Sequence, residues 1–338
     1  MRLSDFDYDL PPASIARFPT PERDASRLLA LDRHTGAFDH HRFAEVSSLL
    51  RSGDLLVVND TRVRPARLFC RKPTGGRVEV LLVEPEDDAW LALAKSNKAL
   101  QPGTPLTIEG GTSVLTVLER RSEGWIKVAL DADVDALTQA HGQLPLPPYM
   151  GRSPEVEDKE RYQTIFARPD RTGSVAAPTA GLHFTPEVMA ALEAKEIRSA
   201  AVTLHVGPGT FLPVRTDDPD EHQMHQERFE LSSAAADAIR QTRAEGGRIV
   251  AVGTTVTRVL ESVDDATRAQ SGATSLFIRP GFTFRHVDAL ITNFHLPRST
   301  LLMLVCAFAG REAVLAAYEA AAKTGYRFYS YGDAMLIQ

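Results

Sequence analysis

The sequence predicts an α/β fold: a mainly parallel sheet with flanking helices, interrupted by an inserted antiparallel β-barrel domain. After about residue 150, apolar runs alternate with helical segments, which is typical of a parallel sheet covered by helices. Between 62 and 150 the chain carries short alternating runs punctuated by Gly, Pro and Asp, which favours a barrel or sandwich of about five or six strands. Before the insert, residues 54–60 predict a buried strand that belongs to the α/β domain.

These observations predict a discontinuous domain. The first part of the α/β domain spans 1–61, the inserted barrel spans 62–150, and the second part of the α/β domain spans 151–338. The proline-rich segment 142–152 is interpreted as a linker. The predicted strands of the insert lie at 76–85, 89–95, 104–111, 113–121 and 124–130.

Capping residues predict the helices of the second part. Thr185 is an expected N-cap with Pro186 at the first helical position, and a capped helix at 232–247 ends in glycines. Further helices are predicted from Thr254, over 299–310 and over 311–325. Buried strands are predicted at 199–206, 248–253 and 289–294.

Composition narrows the class of protein. The 338 residues are 43% hydrophobic and 24% charged, which is typical of a soluble globular protein. The two cysteines are far apart, so neither a disulfide framework nor a paired-cysteine zinc site is predicted. The N-terminus is acidic without an apolar run, and the longest apolar stretch, 301–309, is too short to span a bilayer. We therefore expect a cytoplasmic protein without membrane contact.

One segment is strongly basic although the net charge of the protein is −6. The segment 61–78 contains no acidic residue and six basic ones: Arg62, Arg64, Arg67, Arg71, Lys72 and Arg77. Such a stripe can contact a phosphate backbone even on an acidic protein. On charge alone, an ordinary charged hairpin is the favoured interpretation.

Polar residues follow four of the predicted strands. Ligands bind beyond the carboxyl ends of strands in open α/β sheets, so these clusters predict a cleft if they meet at one edge. The clusters are Asn59, Asp60 and Thr61; His205, Gly207, Gly209 and Thr210; Gly253, Thr254 and Thr255; and Asn293, Phe294 and His295.

The segment 203–214, TLHVGPGTFLPV, is not a standard phosphate loop. It lacks the lysine and spacing of a Walker A motif, and the residues after Gly209 do not begin a helix as in a Rossmann motif. Gly-Pro-Gly favours a rigid turn that lets a flat ligand approach the backbone. His205 and Thr210 would then offer polar edges and Phe211 a face. A bare turn remains the alternative.

Two further segments hold candidate histidines. His222, His225 and Glu227 are compatible with a metal site, an acid–base role or simple surface histidines. In 174–187, His183 and Phe184 precede a helix start, which favours a nearby anion; a core histidine is the alternative. Asp24 and Arg27 have the spacing of a local salt bridge.

Long matching segments in order make the chain resemble the S-adenosylmethionine:tRNA ribosyltransferase-isomerase family of queuosine biosynthesis. The segments are FDYDLP, RDASRLL, DLLVVNDTRVRPARL, APTAGLHFT, TLHVGPGTF, HQMHQERFEL, AVGTTVTRVLE, NFHLPRSTLLMLV and YSYGDAMLI. They cover almost the whole chain. The resemblance implies an α/β domain with an inserted barrel, in agreement with the fold predicted above.

The resemblance also implies a reaction. The ribosyl part of S-adenosylmethionine is transferred to the aminomethyl group of a deazaguanine base at the tRNA wobble position. It is isomerised there to an epoxycyclopentane, and adenine and methionine are released. S-adenosylmethionine is then a co-substrate, with no prosthetic group and no metal. The partner is tRNA, and a monomer is expected.

Such chemistry needs groups that move protons and a site that excludes water. The candidate catalytic residues are Asp60, His183, His205, His225, Glu227 and Asp333. The candidate binding residues are Asp24, Arg27, Asn59, Thr61, Arg62, Arg64, Phe184, Gly207, Gly209, Thr210, Phe211, Gly253, Thr254, Thr255, Asn293, Phe294, His295 and Tyr331.

Two other functions remain as alternatives. An S-adenosylmethionine-dependent RNA methyltransferase would need a glycine-rich loop after its first strand, where residues 248–261 supply a single glycine. A non-catalytic RNA-binding protein with an OB-like barrel would not explain four polar strand ends outside the barrel.

Overall fold

The computed structural model describes residues 1–211, 216–222 and 224–338. The side chains of Thr210 and Phe211, both predicted to contact ligand, lie outside the described part of the chain, as do residues 212–215 and Gln223.

The strands come in chain order as β1 (Arg27–Leu31), β2 (Phe38–Arg42), β3 (Leu55–Asn59), β4 (Arg62–Val63), β5 (Arg67–Arg71), β6 (Arg77–Glu86), β7 (Ala89–Ser96), β8 (Pro105–Ile108), β9 (Val114–Arg120), β10 (Trp125–Leu130), β11 (Thr172–Ser174), β12 (Arg198–Leu204), β13 (Glu227–Leu231), β14 (Ile249–Val252), β15 (Gln270–Thr274), β16 (Ala289–Asn293) and β17 (Ala334–Ile337). The α-helices are α1 (Val46–Leu49), α2 (Val134–His141), α3 (Asp158–Arg161), α4 (Pro186–Ala194), α5 (Ser233–Ala244), α6 (Thr254–Ser262), α7 (Thr300–Ala309) and α8 (Arg311–Lys323).

A large sheet forms the body of the protein. Among the described residues its strand order is β15-β13-β12-β3-β14-β16-β17-β1-β2. The central strands β12, β3, β14 and β16 pair in parallel, and β1 pairs in parallel with β17. Antiparallel strands flank this parallel centre. The predicted α/β class is confirmed, and the structure adds that the sheet as a whole is mixed.

Alternation along β3 explains how both faces of the sheet are covered. Leu55 and Val57 pack into the apolar cluster that contains α5 to α8, whereas Leu56 and Val58 pack into a second cluster with α1 and α4. All four are buried. Because successive side chains of a strand point to opposite faces, a continuous apolar run is buried on both sides.

The insert forms a closed antiparallel barrel with strand order β10-β7-β6-β5-β8-β9, all within residues 67–130, which the structure describes throughout. Its core contains Leu68, Cys70, Val80 and Val117 among other buried apolar residues. The sequence predicted five of these strands. It missed β5, because the basic residues of 61–78 obscure the alternation of Leu68 and Cys70.

The predicted helix caps are confirmed. The Thr185 hydroxyl accepts from the amide of Val188, with Pro186 at the first helical position, and the Ser232 hydroxyl accepts from the amide of Ala235. The domain bounds at 62 and 150 stay a prediction.

One structural finding concerns membranes. Within the described residues, no single helix is long and apolar enough to cross a bilayer; α7 and α8 together reach the length and composition, but the pair is bent by 117°.

Candidate active site

A cleft opens at the carboxyl edge of the central sheet. It is lined by Ala177, Pro178, Thr179, Ala180, Val206, Gly253, Thr254, Thr255, Thr292, Asn293, His295, Leu301, Tyr329 and Ser330. β3 and β14 are neighbours, but the next strand of the sheet after β3 is β12 on one side, whereas the strand after β14 is β16 on the other, apart from β15 at the sheet edge, so the strand order reverses between β3 and β14. Such a reversal in strand order is where α/β sheets bind ligands. Two of the four predicted strand-end clusters, those after β14 and β16, contribute residues to this cleft, and Val206 lies within the segment of a third.

Asn59 ends β3 and joins it to β12. Its side-chain oxygen accepts from the amide of Leu204 at 3.1 Å, and its nitrogen donates to the carbonyl of Leu204 at 3.0 Å. The same oxygen also accepts from the amide of Thr61. Asn59 thus holds the two strand ends together, which makes it a structural residue beside the cleft.

Hydroxyl groups connect Thr61 to His205. The Thr61 Oγ1 lies 2.7 Å from Ser174 Oγ and 3.0 Å from His205 Nδ1. Ser174 Oγ also accepts from the amide of Val206 at 2.8 Å. Because each hydroxyl can donate in either direction, the chain accommodates either neutral tautomer of His205.

His205 is neutral at physiological pH. Burial, followed by the charges of Arg228, Arg64 and Arg171, lowers its pKa to about 4. Its ring lies against Gly173, where an added Cβ would come within 2.5 Å of Nδ1. Its neighbour Val206 lines the cleft, whereas the His205 imidazole is turned to Thr61 and Ser174.

Asp60 is a buried carboxyl next to this network. Its Oδ1 accepts from the hydroxyl of Thr203 at 2.6 Å. Burial raises its pKa above the ordinary aspartate value, against the opposing Thr203 hydrogen bond and the charges of Arg171 and Arg168. A carboxyl with a raised pKa is a candidate for proton transfer.

Glu227 fixes the turn after β12. One carboxylate oxygen accepts from the amide of Gly207 at 2.7 Å, and the other pairs with the buried guanidinium of Arg258. Both side chains are almost inaccessible to solvent, at 5% and 7%. The carboxylate is therefore committed to anchoring the Gly-Pro-Gly turn, which was predicted to shape the site.

His225 lies between the turn and the barrel. A Cβ on Gly209 would come within 2.9 Å of its ring, and the ring centroid lies 5.6 Å from that of Trp125 on β10. Over the described residues, no group of three or more His, Cys, Asp and Glu side chains is placed to hold a metal ion.

His183 is a buried histidine with defined partners. Its Nδ1 lies 2.8 Å from Ser26 Oγ and its Nε2 lies 3.1 Å from Asn293 Nδ2. The ring stacks on Phe43 at 5.0 Å. Burial, followed by the charges of Arg23 and Arg327, lowers its pKa to about 3. It lies next to Asn293, which lines the cleft.

His295 lines the cleft and is also neutral. Its Nε2 lies 2.9 Å from the hydroxyl of Thr292, another lining residue. Burial lowers its pKa to about 3.

Of the predicted site residues, the cleft lining contains Gly253, Thr254, Thr255, Asn293 and His295, and the other described ones lie outside it. Phe184 packs on Phe43 and Phe166, and Phe294 on Tyr318 and Tyr326, both in apolar cores. Successive residues of a strand end face opposite sides, so Phe294 faces away from the side that Asn293 serves.

Four more have structural partners. Both Asp333 oxygens accept backbone amides, from Arg27 and from Arg327, and burial raises the Asp333 pKa. Tyr331 donates to Asp158, and the Arg27 guanidinium stacks on Tyr326. Asp24 accepts from the Thr185 hydroxyl at the start of α4, so the anion expected at that helix is a side chain of the protein.

Arg62 and Arg64 begin the insert. Arg62 pairs in β4 with Thr172 of β11, and Arg64 bonds to Asp135 at 3.1 Å while its guanidinium lies over the Trp90 ring. Arg64 therefore ties the strand end of the sheet to the barrel.

Sequence reasoning missed several residues of the site. Ser26, Ser174, Thr292, Tyr329 and Ser330 contact predicted residues or line the cleft. Small hydroxyl residues give no periodic signal. Ser174 nevertheless lies in 174–187, the segment of the candidate His183, and Ser330 lies in 329–337, one of the segments that carried the resemblance. These two segments were the nearest signal in the sequence.

Comparison with known proteins places this geometry in a family. The family model described as "Queuosine biosynthesis protein" matches residues 3–337. The chain belongs to the queuosine biosynthesis protein family. It is 55% identical to the S-adenosylmethionine:tRNA ribosyltransferase-isomerase of Anaeromyxobacter sp. (strain K), over 100% of this chain and 99% of the relative. It is 50% identical to the protein of the same name from Pelobacter propionicus, over 100% of both chains.

A solved structure of this family has the same fold. The crystal structure of S-adenosylmethionine tRNA ribosyltransferase from Thermotoga maritima is 38% identical and covers 99% of this chain and 100% of its own, with a TM-score of 0.57. Membership of the queuosine biosynthesis family, expected from the sequence segments, is confirmed.

Proposed function

We propose that this protein is an S-adenosylmethionine:tRNA ribosyltransferase-isomerase that acts on tRNA with an aminomethyl-deazaguanine base at the wobble position. The product is epoxyqueuosine in tRNA, and adenine and methionine are released. The observation that carries the proposal is the full-length likeness to enzymes of that name at 50–55% identity. We place the reaction in the cytoplasm, by a monomer that uses S-adenosylmethionine as co-substrate without a prosthetic group.

The cleft has the kind of lining that the co-substrate needs. Ligand sites for small molecules are mostly apolar with a few convergent polar groups. The cleft here combines Ala177, Val206 and Leu301 with Thr254 and Asn293. A largely buried site also excludes the water that would trap reactive intermediates.

Among the six candidates we propose His205 as the proton acceptor, because its imidazole is neutral and its neighbour Val206 lines the cleft. A sulfonium acidifies the hydrogens of the neighbouring 5′ carbon, and a neutral imidazole accepts a proton where an imidazolium does not. Two other candidates, Asp333 and Glu227, have both carboxylate oxygens engaged by fixed partners. Asp60, with its raised pKa, is the second candidate for moving a proton.

Product analysis tests this function against the methyltransferase and RNA-binding alternatives. With modified tRNA, the purified protein is expected to release adenine and methionine in equal amounts. Methylated RNA with S-adenosylhomocysteine would overturn the proposal, and so would recovery of intact S-adenosylmethionine. The assay separates the three functions because each leaves a different fragment of the co-substrate.

We propose that tRNA contacts the barrel near β5. Arg71 and Arg77 both pair with Glu109 at 3.1 Å, so the carboxylate offsets part of the stripe, but their side chains remain 59% and 57% exposed. The Lys72 ammonium donates to the carbonyl of Lys98, a neutral partner that leaves the lysine charge in place. The segment therefore keeps a net positive charge.

Removing two of these charges is expected to weaken tRNA binding. For Arg71→Ala with Lys72→Ala, the salt dependence of tRNA affinity should flatten by about 0.7 for each single-strand phosphate that the protein no longer neutralises. S-adenosylmethionine binding should not change. The matched control is Arg240→Ala with Lys323→Ala, which removes two exposed charges from helices of the sheet domain. If both double variants have the same salt dependence of tRNA affinity, residues 61–78 are a solvated hairpin that does not contact tRNA phosphates.

A further inference from the structure

Asn293 has an unpaired oxygen beside the cleft. The residue is 2% exposed at the end of β16, and it lines the cleft. Its Nδ2 donates to the carbonyl of Tyr329 at 3.2 Å and to His183 Nε2 at 3.1 Å. Its Oδ1 is buried and has no hydrogen-bond partner in the described part of the chain. A buried acceptor without a partner is costly, so native proteins rarely keep one without a use.

The orientation of this amide is fixed by its neighbours. The Tyr329 carbonyl can only accept, so the amide nitrogen and not the oxygen must face it. His183 must then accept at Nε2 and carry its proton on Nδ1, from which it donates to Ser26 Oγ. Ser26 Oγ in turn donates to the carbonyl of Arg23. The chain of donors leaves Oδ1 as the atom of this amide without a partner among the described residues.

The start of α6 lies in the same cleft. The amide of Gly253 donates to the carbonyl of Ile291 at 2.7 Å, which places the first turn of α6 next to the end of β16. α6 has nine residues, and its N-cap Gly253 offers no side chain to cap it. The first amides of a helix have no partners within the helix and favour an anion.

We propose that Asn293 and the first turn of α6 form the subsite for the amino-acid end of S-adenosylmethionine. A helix start that favours an anion, next to a buried acceptor without a partner, is complementary to an α-amino acid, which carries a carboxylate and an ammonium on one carbon. The carboxylate binds the first-turn amides of α6, and the ammonium donates to Asn293 Oδ1. His183 is a positioning residue that holds the Asn293 amide. This inference rests on the proposed function, which supplies the ligand.

Binding of three probes tests the subsite by calorimetry. S-adenosylmethionine has both charged groups, decarboxylated S-adenosylmethionine has only the ammonium, and 5′-methylthioadenosine has neither. Asn293→Ala is expected to weaken the binding of S-adenosylmethionine and of decarboxylated S-adenosylmethionine by about 10- to 100-fold, the range of a hydrogen bond to a charged group. Binding of 5′-methylthioadenosine should not change, which also shows that the variant is folded. Asn97→Ala, at an exposed barrel position, is the control and should bind all three normally.

A second pair of variants tests the helix start independently. Proline is well tolerated at the first helical position, and Gly253 has a ψ of 157°, which suits the residue before a proline. Thr254→Pro removes one amide N–H, whereas Thr254→Ala keeps it. Relative to Thr254→Ala, we expect Thr254→Pro to bind S-adenosylmethionine roughly 10-fold more weakly. The affinity for decarboxylated S-adenosylmethionine should be the same in both variants.

The outcomes separate this inference from the proposed function. If the wild-type protein binds none of the probes, the proposed function fails and the subsite with it. Suppose that the wild-type protein binds S-adenosylmethionine, but Asn293→Ala weakens the binding of 5′-methylthioadenosine as much as that of S-adenosylmethionine. Asn293 then contacts the nucleoside, and the inference alone is overturned. The same holds if Asn293→Ala leaves all three affinities unchanged.

Discussion

His205→Ala is expected to lower kcat by about 10²–10⁴-fold, the usual contribution of a general acid or base. The urea midpoint of unfolding should change little, because the ring is only partly buried and bonds to one hydroxyl, that of Thr61. Rates are measured by adenine release with modified tRNA. The control is His34→Ala at an exposed position. Turnover within a few-fold of wild type would remove His205 from the reaction.

The protonation state of His205 provides a second measurement. Its pKa is lowered to about 4, so the neutral form dominates above that pH and is lost only as pH falls through 4. In spectra of protein labelled with ¹⁵N at histidine, its ring signals should not titrate between pH 5 and pH 8. The His205→Ala spectrum assigns the signals. A midpoint near the ordinary value of about 6.5 would contradict the burial of the ring.

Glu227→Ala is expected to destabilise the protein by about 3–5 kcal/mol, because it leaves the buried guanidinium of Arg258 without its carboxylate partner. It also removes the acceptor for the amide of Gly207, so the turn that carries the Gly-Pro-Gly sequence loses its anchor. The change is measured as the free energy of unfolding in urea.

Two further variants separate burial from simple charge loss. Glu245→Ala removes a carboxylate that is 51% exposed and pairs with Arg198, and it should cost at most about 1 kcal/mol. Glu227→Ala with Arg258→Met should recover much of the lost stability, because no unpaired charge is then buried. A loss below about 1 kcal/mol for Glu227→Ala alone would show that water reaches Arg258.

The sequence alone determined the fold class, the helix caps and the edge of the sheet where the cleft opens. An apolar run of strand length must be buried, which leaves few structures other than a core strand for it. The caps at Thr185 and Ser232 depend only on residues three positions away. The polar ends of β14 and β16, which line the cleft, were likewise visible because the change from apolar to polar residues is local.

Only the tertiary structure decided what each polar residue does. His183 is bonded to Ser26, 157 residues earlier, and to Asn293, 110 residues later, and burial among them keeps its imidazole neutral. Asp333 has a carboxylate like that of Asp60, but two backbone amides occupy it. Partners, burial and the side of a strand on which a residue lies arise from long-range packing, which residue type and spacing do not encode.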